Sequence, residues 1–71
     1  MALPAQTPWS EIVRKFRALG YEGPVYTGHP FMVRGKHRQR IPNSHDDPVP
    51  IGKLRDVLRK AGIDDDTWNR L

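Results

Sequence analysis

An α+β fold is predicted, in the order helix, three antiparallel strands, helix and short C-terminal helix, and three observations predict it. Apolar residues recur at helical spacing in one segment near the start of the chain and in another near its end. Three short strand-forming runs lie between them, the last two joined around Gly35. The chain has 71 residues, which suits one domain built on a single small core.

The first helix is expected over Pro8–Leu19. Thr7 is placed to cap it, Pro8 fits the first helical position because it has no N–H to leave unpaired, and Gly20 fits the left-handed position that ends a helix. Trp9, Ile12, Val13, Phe16 and Leu19 form one apolar stripe, which leaves Arg14, Lys15 and Arg17 outside it. Strands are expected at Pro24–Thr27, Phe31–Arg34 and Arg38–Ile41. A two-residue loop at Gly35-Lys36 would set Val33 opposite Arg38 and Phe31 opposite Arg40, bringing arginines onto the apolar face at a desolvation cost. A three-residue loop, Gly35-Lys36-His37, sets Phe31 opposite Ile41 and Val33 opposite Gln39, with Met32, Arg34, Arg38 and Arg40 on the other face. The second register is the expected one, and it gives a basic outer face.

PNSHDDPVP, residues 42–50, reads as a loop because three prolines in nine residues withhold ladder donors and helical geometry. The second long helix is expected over Gly52–Ala61, with Ile51, Leu54, Val57, Leu58 and Ala61 as its stripe and Gly62-Ile63 as its stop. Asp64 caps a short final helix that turns Trp68 and Leu71 inward, and Asp65 and Asp66 in its first turn favour the helix dipole. Residues 1–7 are read as a flexible tail before a single domain over 8–71.

With 37% hydrophobic residues the chain is not a disordered one, and with no cysteine it cannot be stapled by disulfides. It shows neither a signal-peptide pattern nor an apolar run long enough to span a membrane, so a cytoplasmic protein is expected. Charge is unevenly spread. From Ile12 to His45 there are seven Lys or Arg residues, Arg14, Lys15, Arg17, Arg34, Lys36, Arg38 and Arg40, against a single acid, Glu22. Such a stretch suits a polyanion, whose condensed counterions are released on binding, and equally suits a solvated surface.

Within TGHPFMVRGKHRQRIP, residues 27–42, two histidines and four cations occur with no acid. The three histidines, His29, His37 and His45, are each separated from the next by seven intervening residues across a turn or loop, which is not a metal-ligand spacing, and no metal or other cofactor is expected. Ser10 and Ser44 lie in no nucleophile pattern. RNA cleavage, however, takes its nucleophile from the substrate's own 2′-hydroxyl, so a histidine and cations near the scissile phosphate suffice. A histidine ahead of a strand is also a common hydrogen-bonded structural residue. Alternation counted back from Phe31 points His29 to the core side, while Pro30, which cannot donate to a ladder, interrupts such counting.

Four features carry a resemblance: the amphipathic first helix closing in LGY, the histidine that opens the second strand in GHPFMV, the IPNSH segment, and IGKLRDVLRKAGI near the end. In these the layout from Ser10 to Trp68 resembles the HicA family of small toxins, the mRNA interferases of HicA and HicB toxin–antitoxin pairs. The resemblance implies an α-β-β-β-α fold like the double-stranded-RNA-binding domain, with a three-stranded antiparallel sheet backed by two helices. It also implies metal-independent endoribonuclease activity on mRNA and a HicB-like antitoxin as protein partner. His29 corresponds to the family histidine that ends a Gly-Ser-His motif and acts as general acid/base. Here the motif is Thr27-Gly28-His29, without the serine, so Thr27 and Gly28 are the supporting positions. Arg34, Lys36, Arg38 and Arg40 on the basic face are the expected RNA contacts, joined by His45 after IPNS. Two other readings use the same residues: a non-catalytic RNA-binding module, and an interaction domain whose basic face meets an acidic protein.

Overall fold

The computed structural model describes residues 3–71. Gln6–Thr7 (β1) precedes a helix at Trp9–Ala18 (α1), and three strands follow, Glu22–Thr27 (β2), His29–Arg34 (β3) and His37–Arg40 (β4). A 3₁₀ turn at Ser44–Asp46 and a short strand, Val49–Pro50 (β5), lead into the helix Ile51–Ala61 (α2) and then a short helix, Asp65–Asn69 (α3). β2, β3 and β4 form an antiparallel three-stranded sheet with β3 in the middle, and β1 pairs with β5 in a separate two-stranded sheet.

The two helical stripes dictate what packs on the larger sheet. Ile12, Val13 and Phe16 of α1 and Leu54, Val57 and Leu58 of α2 are buried with Tyr21, Met32, Ile41 and Trp68 in one core. The Phe16 ring lies edge-on to Tyr21 at 5.1 Å and to Trp68 at 5.4 Å. Both long helices stop at the expected glycines. Gly20 and Gly62 have φ of 92° and 72°, and the following N–H groups of Tyr21 and Ile63 donate back to the carbonyls of Phe16 and Leu58. Asp64 caps α3 as expected, its Oδ1 accepting from the Thr67 N–H at 2.7 Å.

The start of the chain differs from expectation. Thr7 does not cap α1; it lies in β1 opposite Val49, and Pro8 holds the cap position without a side-chain bond. The cap comes instead from 38 residues away, where Asp47 Oδ1 accepts from the Trp9 N–H at 2.8 Å. The Trp9 indole N–H donates to the Pro42 carbonyl at 2.7 Å, so the proline-rich loop is docked on α1 by both contacts. Residues 3–7 are part of the fold, not a tail ahead of it. Leu3 is buried in the core, β1 pairs with β5, and the Ile51 N–H donates to the Ala5 carbonyl. The physical reason is that Val49, fully buried, brings its backbone inside with it, and that backbone needs a ladder partner. Residues 1–2 of the expected tail lie outside the described residues.

The register of β3 and β4 is also corrected. Arg34 pairs with His37, Val33 with Arg38, Met32 with Gln39 and Phe31 with Arg40, so the loop is the two-residue Gly35-Lys36, with Gly35 at φ 60°. The core side of β3 is carried by Pro30 and Met32, both fully buried, and that of the neighbouring chain by Gln39 and Ile41. Phe31 and Val33 therefore face away from the helices, and the arginines opposite them stay in solvent. The feared desolvation cost does not arise because the inner parity is the other one.

Candidate nucleic-acid interface

Because β3 is the central strand, its outward residues occupy the middle of the open sheet face. His29, Phe31 and Val33 run down that face, with Thr27 and Val25 beside the first two on β2 and Arg40 and Arg38 beside the last two on β4. The alternation runs through Pro30 without a break, so His29 shares the face of Phe31 and is exposed to solvent. Thr27 is its direct cross-strand partner, at the roughly 4.5–5.5 Å Cβ separation of such pairs. Gly28 makes the turn between them with φ 96°, and a Cβ there would meet nothing within 4 Å. Glycine is required at this position by backbone conformation and not by crowding. Gly23, by contrast, lies in the β2 bulge, where a Cβ would come within 3.2 Å of the Phe31 carbonyl oxygen.

The long basic stretch of the sequence resolves into few free cations. Arg14 is paired with Glu11 at 2.8 Å, and Lys15 donates to the Trp68 carbonyl at 3.0 Å. Arg17 donates twice to the Gly23 carbonyl, at 2.7 and 3.1 Å, tying α1 to the bulge. Arg34 is not on the outer face. It has the parity of Met32, donates to the Leu19 carbonyl at 3.2 Å and lies 5.0 Å from the centre of the Tyr21 ring, closing the end of α1. Lys36 is exposed at the hairpin tip, and His45 is exposed on the 3₁₀ turn. Arg38 and Arg40 remain, exposed and without a carboxylate partner among the described residues.

Next to this face, a cleft of about 820 Å³ runs between β4 and α2, with His29, Arg38 and Arg40 on one bank and Lys53, Asp56 and Lys60 on the other. Sequence reasoning missed the second bank, although Lys53, Asp56 and Lys60 are spaced three and four residues apart and so share one side of a helix. That bank is largely neutral. Lys53 pairs with Asp46 at 3.1 Å, and Lys60 and Arg59 both pair with Asp56, at 3.1 and 2.6 Å. Hydrogen bonds from Lys60 and then Arg59 hold the Asp56 carboxyl below the usual carboxylate range. Positive charge free to meet an anion is thus concentrated on β4. His37 also lines the cleft, but its ring lies edge-on to Tyr21 at 6.0 Å, on the inner parity.

The arrangement joins an exposed imidazole, a neighbouring hydroxyl and two unpaired guanidinium groups on one open surface. Among the described residues no group of three His, Asp or Glu side chains could hold a metal ion, and no helix is long and apolar enough to cross a membrane. No protein-family model, no curated protein and no solved structure matches this chain.

Proposed function

We propose that the chain is a toxin-type endoribonuclease that cleaves mRNA in the cytoplasm with His29 as its general acid/base. The observation that carries this reading is the exposed His29 on the open sheet face, beside Thr27 and in line with the Arg38–Arg40 edge. The antiparallel sheet with both long helices on one side supports the HicA-like, double-stranded-RNA-binding-domain-like fold that the sequence resembles.

In this reading neutral His29 takes the proton of a ribose 2′-hydroxyl as that oxygen attacks the adjacent phosphorus. The bond from phosphorus to the 5′-oxygen breaks, the leaving oxygen takes a proton from water, and the products carry a 2′,3′-cyclic phosphate and a 5′-hydroxyl. His29 then returns its proton to solvent. Arg38 and Arg40 stabilise the charge that gathers on the non-bridging oxygens. The same exposed cations would be covered by an acidic antitoxin of the HicB type, the partner the resemblance implies, and their single sign favours rapid association.

The test is His29→Ala. Cleavage of single-stranded RNA should fall about 10²- to 10⁴-fold, together with growth arrest on expression, while thermal unfolding and RNA affinity stay unchanged because the side chain is exposed. Retained cleavage would defeat the assignment. RNA binding without cleavage in the unaltered chain would favour the binding-module reading, which needs the arginines and not the histidine.

A further inference from the structure

We infer that Phe31 is a stacking platform for one base of a single-stranded RNA, set beside the nucleotide on which His29 acts, an inference that rests on the ribonuclease reading above. Phe31 stands on the middle strand of the sheet face that no helix covers and is only partly buried there. Its cross-strand partner on β2 is Val25, 37% exposed, and the next outward residue of its own strand is Val33, so the ring sits in an apolar floor. On the other side is Arg40, directly opposite, and the Arg38 guanidinium lies 5.4 Å from the ring centre. A flat apolar surface edged by unpaired cations is what a nucleotide requires, one part for the base and the other for its phosphate.

Position and charge narrow the occupant further. His29 is two residues from Phe31 on the same face, roughly 7 Å along the strand. A base on the ring therefore leaves its sugar and phosphate within reach of both the imidazole and Arg40. The one acid of the three strands, Glu22, pairs with Val33 at the far end of the face from His29. Arg38 is exposed and has no carboxylate to hold it, so it can exchange the ring for a phosphate and uncover the platform. The base must come from a single strand, because in a duplex both faces of each base are already stacked. An acidic peptide would satisfy the arginines but brings no π-face to the ring.

The experiment measures binding of short RNAs carrying 2′-O-methyl groups, which block the attacking hydroxyl and prevent cleavage, to the unaltered chain, Phe31→Leu and Phe31→Tyr. Phe31→Leu should bind single strands about 5- to 150-fold more weakly, the range that one stacked base supplies, and Phe31→Tyr should stay within about twofold because the ring is kept. Thermal unfolding should be little changed in both. A set of oligonucleotides, each lacking one base, adds a readout that packing does not move. One position should matter to the unaltered chain and cease to matter in Phe31→Leu. Equal binding by Phe31→Leu, or a loss that is the same for every abasic oligonucleotide, would overturn the inference and leave the ribonuclease reading standing. If Phe31→Leu fails to fold, indifference of the unaltered chain to base removal at every position overturns it instead. No RNA binding at all would overturn both.

Discussion

The two faces of the larger sheet are made from alternate residues of the same strands, and they obey different constraints. On the inner face Pro30, Met32, Gln39 and Ile41 are closed under the helices, and the one polar group among them, the Gln39 amide, donates to the Arg40 carbonyl at 3.0 Å. On the outer face His29, Phe31, Val33, Arg38 and Arg40 are exposed or half-buried, and the contact between two of their side chains is the Arg38 guanidinium against the Phe31 ring. Inner residues are held by close packing, where each lost methylene is felt. Outer residues are free to change partners, which a binding surface needs. Arginine suits this face because the Arg38 guanidinium can lie against the Phe31 ring, 5.4 Å from its centre, while the side chain stays exposed to water.

Three experiments would break or sharpen this contrast. The largest effect is expected at Met32. Met32→Ala should cost about 2–5 kcal/mol, comparable with the whole net stability of about 3–5 kcal/mol usual for a domain of this size, so the variant should be largely unfolded in thermal melts. Val33→Ala, one residue on but on the outer face, should cost less than about 1 kcal/mol. Similar losses at both positions would erase the distinction between faces.

A smaller effect separates two arginines. Arg34→Gln should lower stability by about 0.5–1.5 kcal/mol, the worth of a hydrogen bond such as the one to Leu19, and leave RNA affinity alone. Arg40→Gln should do the reverse, reducing the slope of log affinity against log salt by about 0.7 without moving the melting temperature. The opposite pattern would mean that the faces have been exchanged.

The smallest effect tests the helical side in acid. The backbone N–H of Thr67, and then its hydroxyl, hold the Asp64 carboxyl below its ordinary range, and the hydrogen bond from Arg14 does the same for Glu11. A carboxyl depressed on folding contributes stability that is present above its unfolded value and lost as pH falls through the folded value. Urea midpoints should therefore decline through the carboxylate range. Asp64→Asn keeps a good cap and should make that decline shallower. An unchanged decline would assign acid sensitivity to other groups.

Both long helices, their stripes, their terminal glycines and the Asp64 cap could be read from residues alone, because each depends on contacts within about one turn of chain. The three strands of the larger sheet, too, were legible as strands, whereas β1 and β5 fell where a tail and a loop were expected. What the sequence could not decide was which side of β3 faces the helices, since Phe31, Met32 and Val33 are apolar in succession and period-two alternation marks no inner side there. That choice belongs to the helices, whose stripes close over Pro30 and Met32, and it placed His29, Phe31, Arg38 and Arg40 together on the open face. The cap of α1 from Asp47 and the approach of Lys53 and Lys60 to β4 were decided the same way. Each joins residues far apart in the chain, where local pattern carries no information and only packing brings the partners within reach.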